Sequence, residues 1–196
     1  MEKTAGTAET KDKTISILGI AGSLRKNSFN KALLRVAAEL VPEGAGLEVF
    51  DLDGIPPFNQ DLESQPPDRV KEFKKKIKAA DAILIVTPEY NYSIPGVLKN
   101  AIDSASRPYG DNAWNGKPVA VMGASIGMLG TARAQYHLRQ SFVFLNMISI
   151  NLPEVMVPFV DQKIDQNGRL TDDKTREKIR ELLAALIAWT KRLRPA

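Results

Sequence analysis

Ser23, Arg25, Ser28 and Asn30 share one short segment, Gly22-Ser23-Leu24-Arg25-Lys26-Asn27-Ser28-Phe29-Asn30. It leaves a β-branched apolar run and enters a stretch of helical spacing. Its hydroxyls, backbone amides and single guanidinium suit a phosphate, because the first amides of a helix lack acceptors and carry the positive dipole end. Arg25 adds a charge-assisted donor. Ser28 also suits a helix N-cap, a role compatible with holding a phosphate. A second segment, Thr87-Pro88-Glu89-Tyr90-Asn91-Tyr92-Ser93-Ile94-Pro95-Gly96, has the same placement after an apolar run. Bracketed by prolines and rich in aromatic and amide groups, it suits a flat heteroaromatic ring. Both segments fall where parallel strands end, which is where open α/β sheets take ligands. A phosphate site and a ring site on one sheet edge point to a mononucleotide cofactor.

Other chemistries are poorly served. Gly19-Ile20-Ala21-Gly22-Ser23 is not G-x-G-x-x-G, no lysine holds a Walker A position, and no acid follows at the spacing expected for a ribose contact. The chain has no cysteine, which removes disulfides, thiolate nucleophiles and cysteine metal sites, and its lone His137 cannot form a histidine cluster. No metal site is expected. The net charge is +4. Lys71, Lys74, Lys75, Lys76 and Lys78 surround Val70, Phe73 and Ile77 at helical spacing and read as a solvated helix face rather than a nucleic-acid surface. No apolar stretch approaches the roughly 20 residues that span a bilayer. Residues 1–13 read as a disordered tail, residues 14–196 as one cofactor-binding domain, and a cytoplasmic location follows by default.

The elements that must position these segments alternate regularly. Ile15–Ile20 is a buried strand, Asn30–Leu40 a helix and Leu47–Leu52 a second strand. After a proline-rich connection from Asp53 to Pro67, a helix over Asp68–Ala79 leads into Ala82–Thr87, whose continuous apolar run marks a central parallel strand. Pro95 suits the first turn of a helix through Ile102. Pro118–Ala124 is the fourth strand, Gly130–Asn146 a long helix, Met147–Asn151 a short fifth strand and Asp172–Arg192 the last helix. Five alternations predict an α/β, doubly wound five-stranded parallel sheet in the flavodoxin-like order 2-1-3-4-5. That order brings the loops after strands one, three and four to one crevice, adding Ala124-Ser125-Ile126-Gly127-Met128-Leu129-Gly130 to the two segments above.

Ser23-Leu24-Arg25-Lys26-Asn27-Ser28-Phe29-Asn30, together with Pro88-Glu89-Tyr90-Asn91-Tyr92-Ser93-Ile94-Pro95-Gly96, resembles the NADPH-dependent FMN reductase family, and within it the chromate- and quinone-reducing, azoreductase-like branch. Gly130-Thr131-Ala132-Arg133-Ala134-Gln135-Tyr136-His137-Leu138-Arg139-Gln140 is similar to a helix of that group, and the likeness runs over roughly residues 14 to 192. The resemblance implies that Ser23, Leu24, Arg25, Lys26, Asn27, Ser28, Phe29 and Asn30 surround the FMN phosphate. It implies that Pro88, Glu89, Tyr90 and Asn91 line the isoalloxazine and that Ser125 completes the pocket. Glu89 is then a turn anchor, not a general acid. The family usually has glycine where Asn27 stands, and asparagine tolerates left-handed backbone better than most residues. Arg107 and Tyr92 are candidates to face the substrate, with a surface role for Arg107 and a packing role for Tyr92 as alternatives. His137 reads as packing or interface.

The implied activity passes hydride from NADPH or NADH through flavin N5 to quinone, azo, flavin or chromate acceptors by a ping-pong route, with no catalytic side chain because the flavin carries the chemistry. Two other readings stand beside it, a flavodoxin-like electron carrier and a flavin-binding redox sensor. The family likeness also implies a homodimer or homotetramer. Arg133, Tyr136 and Gln140, at i, i+3 and i+7, form a stripe suited to a partner.

Overall fold

The computed structural model describes residues 14–194; the expectation for residues 1–13 lies outside them. Its elements run β1 (Ile15–Ala21), α1 (Phe29–Leu40), β2 (Ala45–Phe50), α2 (Asp68–Ala79), β3 (Ala82–Val86), α3 (Gly96–Ala105), β4 (Pro118–Ala124), α4 (Ala132–Leu145), β5 (Ile148–Ser149), β6 (Val155–Val157) and α5 (Asp173–Leu193). The sheet has the order β2-β1-β3-β4-β5, and every pairing is parallel. All strands therefore end on one edge, and the direction of winding reverses between β1 and β3.

Each face of the sheet is covered, which explains the apolar runs. Every residue of β3 is buried. Its Ala82, Leu84 and Val86 meet α1 and α5 through Leu33, Leu34, Ile179, Leu183 and Leu186. Its Ile83 and Ile85 face the opposite layer, where Phe73, Ile77, Leu98, Ile102, Leu138 and Phe142 of α2, α3 and α4 pack. A strand buried on both faces shows no alternation, so its continuous pattern is the expected one.

Several boundaries differ from the sequence reading: α3 runs on to Ala105 with Pro95 as its N-cap, and α4 occupies Ala132–Leu145. β2 lies two residues earlier than Leu47–Leu52, its ladder ending where Phe50 pairs with Ile20. Leu52 is buried beyond the strand, so its apolar character serves the core rather than the ladder. The fifth sheet position is divided: Ile148 and Ser149 pair with the start of β4, and Val155–Val157 with its end. Pro153, between them, has no N–H to give a ladder. The basic face of α2 is also not wholly solvated. Lys74 is buried, donating to the Arg107 carbonyl and, at 2.6 Å, to Asp111.

No helix among the described residues is long and apolar enough to cross a membrane.

Candidate functional site

The loop after β1 leaves the sheet through a hydrogen bond from Gly22 N to Val86 O of β3 (2.9 Å). A Cβ on Gly22 would lie 3.1–3.3 Å from atoms of Leu98 and Pro88, so this glycine permits a close approach between the first two site loops. Ser23 and Ser28 are buried while Leu24, Arg25, Lys26 and Asn27 between them are exposed. Ser28 is the N-cap of α1, accepting from Lys31 N at 3.4 Å. Helix geometry leaves the amides of Phe29 and Asn30 without an intrahelical acceptor at the same end. Ser23 Oγ accepts from Arg25 N at 3.4 Å, and Arg25 Nη2 donates to Asn27 O at 3.4 Å. Asn27 is not among the residues with positive φ, so asparagine carries no strain there.

Asn30 is used differently from its neighbours. Its Nδ2 donates to Ala124 O (3.0 Å) and its Oδ1 accepts from Ala124 N (2.9 Å), both buried. The side chain thus joins the start of α1 to the end of β4 and places the first and third loops side by side. One side-chain N–H and the side-chain oxygen are thereby committed to β4, while the backbone N–H lies at the unpaired end of α1.

The loop after β3 is a tight hairpin. Tyr90 and Ser93 exchange backbone hydrogen bonds of 3.2 and 3.0 Å, and the two residues between them, Asn91 and Tyr92, have φ of 50° and 63°. Two central residues with positive φ make a type I′ turn, unusual for a tyrosine. Three side chains bind this turn to α4. Glu89 is only 8% exposed at its side chain. It accepts from Arg133 Nε at 2.6 Å and from the backbone N–H of Arg133 and Ala134 at 3.1 and 3.2 Å. The Arg133 guanidinium sits 3.4 Å from the Tyr92 ring centroid. Burial pulls the Arg133 pKa down, but its bonds to Glu89 and Tyr92 outweigh this and raise it. Ser93 Oγ and His137 Nδ1 are 3.0 Å apart.

The loop after β4 rests on β6. Ser125 N donates to Val157 O (3.1 Å), Val160 N donates to Ser125 O (3.2 Å), and Ser125 Oγ accepts from Gly127 N (3.0 Å). Ile126, Met128 and Leu129 are exposed on this loop, as are Tyr90 and Leu24 on the other two. These apolar positions were not singled out in the sequence; their lack of helix or strand period was the available signal.

The structure therefore brings together Ser23, Ser28, the loop Leu24–Asn27, Pro88, Glu89, Tyr90, Asn91, Tyr92 and Ser125. It does not bring Arg107. That residue follows the far end of α3, whose ten residues span about 15 Å. It pairs there with Glu63 at 2.5 Å and lies 3.7 Å from the Tyr109 ring centroid. Among the described residues there is no group of three or more His, Cys, Asp or Glu side chains placed to hold a metal.

This donor set fits a phosphate at the α1 end and a planar ring against the hairpin. Known proteins resemble the chain over most of its length. The model of the NADPH-dependent FMN reductase family matches residues 15–162. An NAD(P)H-dependent FMN reductase of Pseudomonas aeruginosa is 53% identical over 181 residues, covering 92% of this chain and 97% of that protein. A 2-hydroxy-1,4-benzoquinone reductase of a Burkholderia species is 42% identical over 177 residues, covering 90% and 97%. The solved structure of FerB, a flavoenzyme NAD(P)H:(acceptor) oxidoreductase from Paracoccus denitrificans, superposes with a TM-score of 0.84 at 35% identity, covering 91% and 98%. On this footing the chain belongs to the NADPH-dependent FMN reductase family.

Proposed function

We propose that residues 14–196 form an FMN-binding NAD(P)H oxidoreductase whose acceptors are quinones or free flavin, with azo compounds and chromate as further oxidants. FMN, held by the residues below, would supply the two-electron chemistry between a nicotinamide donor and the acceptor, with hydride carried at flavin N5. The observation that carries this reading is the convergence of three loops on one sheet edge, with the serine-capped end of α1 beside an exposed aromatic hairpin.

The chain's own part is binding and orientation. Ser23, Ser28, Arg25 and the amides of Leu24, Lys26, Asn27, Phe29 and Asn30 would hold the phosphate. Pro88, Glu89, Tyr90 and Asn91 would line the ring, with Ser125 closing the pocket. Tyr92, exposed beside them, is the side chain suited to meet a substrate. The exposed Ile126, Met128 and Leu129 favour a planar, largely apolar acceptor over a small hydrated anion. The quinone-reducing relative supports the same preference. The hairpin would back one side of the ring, so donor and acceptor would alternate at the other, giving ping-pong kinetics. The nicotinamide pool it draws on suggests work in the cytoplasm. Assembly as a homodimer or homotetramer through the outer face of α4 is part of the same proposal.

The test begins with the absorbance spectrum of purified protein supplied with FMN. Anaerobic NADPH should bleach the flavin band within seconds, a benzoquinone should restore it, and initial rates should give parallel double-reciprocal lines. A flavin band that NADPH leaves untouched would instead support the carrier or sensor reading.

A further inference from the structure

Thr131 breaks a local rule where the third site loop enters α4. It is β-branched and buried, yet its φ is 75°, directly after Gly130 at 52°. Such a conformation is an outlier for a β-branched residue and persists only where its surroundings over-determine it. Thr131 is also the N-cap residue of α4 but makes no capping bond. Its hydroxyl turns inward instead, accepting from Gln135 Nε2 at 3.1 Å.

Gln135 breaks a second rule at the same place. It is fully buried, and its Nε2 also donates to Val155 O of β6 at 3.1 Å. Its Oε1 has no hydrogen-bond partner. Turning the amide over would set oxygen against the Val155 carbonyl, so the strand dictates its orientation and leaves that acceptor unpaired. Two unfavourable features meeting at one hydrogen bond beside a binding crevice call for an explanation beyond packing.

The surroundings supply it. At its first residue the loop is bonded to β6 and the following turn through Ser125. In its course it lies against the β6 backbone, since a Cβ on Gly130 would fall 2.7 Å from Met156 C and Val157 N. At its last residue it is tied to β6 through Thr131 and Gln135. A Cβ on Gly123 would come within 2.1 Å of Thr131 Oγ1, so the threonine also fills the space left beside β4. The capping task that Thr131 gives up is performed by Glu89 of the ring hairpin.

We infer that Thr131 is a positioning residue: its hydrogen bond with Gln135 clasps the Ser125–Gly130 loop to β6, so that this wall of the flavin site is set before the flavin arrives. The inference rests on the proposed flavin site but concerns the loop itself.

Two variants separate the hydroxyl from the shape. Thr131→Val keeps the branched outline and removes the acceptor; Thr131→Ser keeps the acceptor. Flavin-free protein is read by amide hydrogen exchange over residues 125–131 and by titration with FMN, followed through quenching of flavin fluorescence. Thr131→Val should speed exchange and raise the FMN Kd, each about tenfold, the scale of one buried hydrogen bond. Thr131→Ser should stay within about twofold of the parent, as expected when that bond is kept. Unchanged exchange and Kd in Thr131→Val would overturn the inference, as would a lowered melting temperature with both unmoved, or a Ser variant as impaired as the Val one. A parent protein that binds no FMN would instead defeat the proposed function, while the exchange measurement would still report on the clasp.

Discussion

Glu89 caps a helix to which it does not belong. Its carboxylate, at the end of β3, accepts from the first backbone amides of α4 and is bonded to the Arg133 guanidinium 44 residues away. A carboxylate at a helix N-terminus is favoured by both the unpaired amides and the dipole. Here the same interaction fixes the spacing of two loops that line one crevice.

Glu89→Gln should therefore weaken the fold and the site together. Replacing a charge-assisted, mostly buried cap lowers stability by about 2 kcal/mol. For a chain of this size that corresponds to a fall of roughly 4–8 °C in Tm. Flavin-free protein should show the loss by calorimetry, and FMN titration should show weaker binding. An unchanged Tm would mean that Arg133 and the amides are satisfied without the charge.

Asn30 separates positioning from ligation. Asn30→Leu leaves the Ala124 N–H and carbonyl unpaired in the interior, a loss of about 2–5 kcal/mol for two buried groups. The urea midpoint of flavin-free protein should drop accordingly. A variant of undiminished stability that failed only to bind FMN would instead make Asn30 a ligand.

Ser23 and Arg25 should act on the phosphate alone. Ser23→Ala and Arg25→Ala are each expected to weaken FMN binding about tenfold, the scale of a hydrogen bond to a charged group. Riboflavin, which lacks the phosphate, should bind the variants and the parent alike. The Arg25 effect should shrink in high salt, because the residue is exposed. Equal losses for both flavins would move these residues from the phosphate to the ring.

What the sequence made readable was whatever depends on local pattern. β3 could be recognised because both of its faces are buried, and Ser28 because an N-cap is a local device. The remote partners could not be read. Asn30 meets Ala124 across 94 residues and Glu89 meets Arg133 across 44, and no spacing rule announces either. Arg107 looked like a site residue because it follows the ring-loop helix, but a helix carries its two ends apart. β6 is three residues behind a proline, too short for a period to show.

The stripe on α4 also changes meaning. Arg133 is engaged within its own chain by Glu89 and Tyr92. The outward face is mixed: Tyr136, His137, Gln140, Val143 and Phe144 are exposed, Phe144 to 79%, with Leu152 also exposed on the loop that follows β5. Exposed apolar side chains grouped in this way are where an interaction surface is expected. Phe144→Asp should shift the mass measured by light scattering toward smaller species, with FMN affinity kept. An unchanged mass would place the interface elsewhere.

Asp111 gives a pH dependence with a defined sign. Hydrogen bonds from Lys74 and Lys78 hold its carboxyl below the ordinary value of 3.8. The Lys74 amine also bonds the Arg107 carbonyl, so the pair secures the turn after α3 to α2. A carboxyl with a depressed folded-state pKa binds fewer protons folded than unfolded, so stability rises with pH. Its contribution is present in full above the unfolded pKa and fades as pH falls from about 4 through the lower folded value. Asp111→Asn removes a charge that Lys74, buried, cannot replace from solvent. The variant should be less stable than the parent at neutral pH, and the gap should narrow below about pH 4 as the parent's carboxyl takes up its proton. Urea midpoints of both proteins between neutrality and acid would measure this. A gap that stayed constant with pH would assign the loss to packing of the turn rather than to charge.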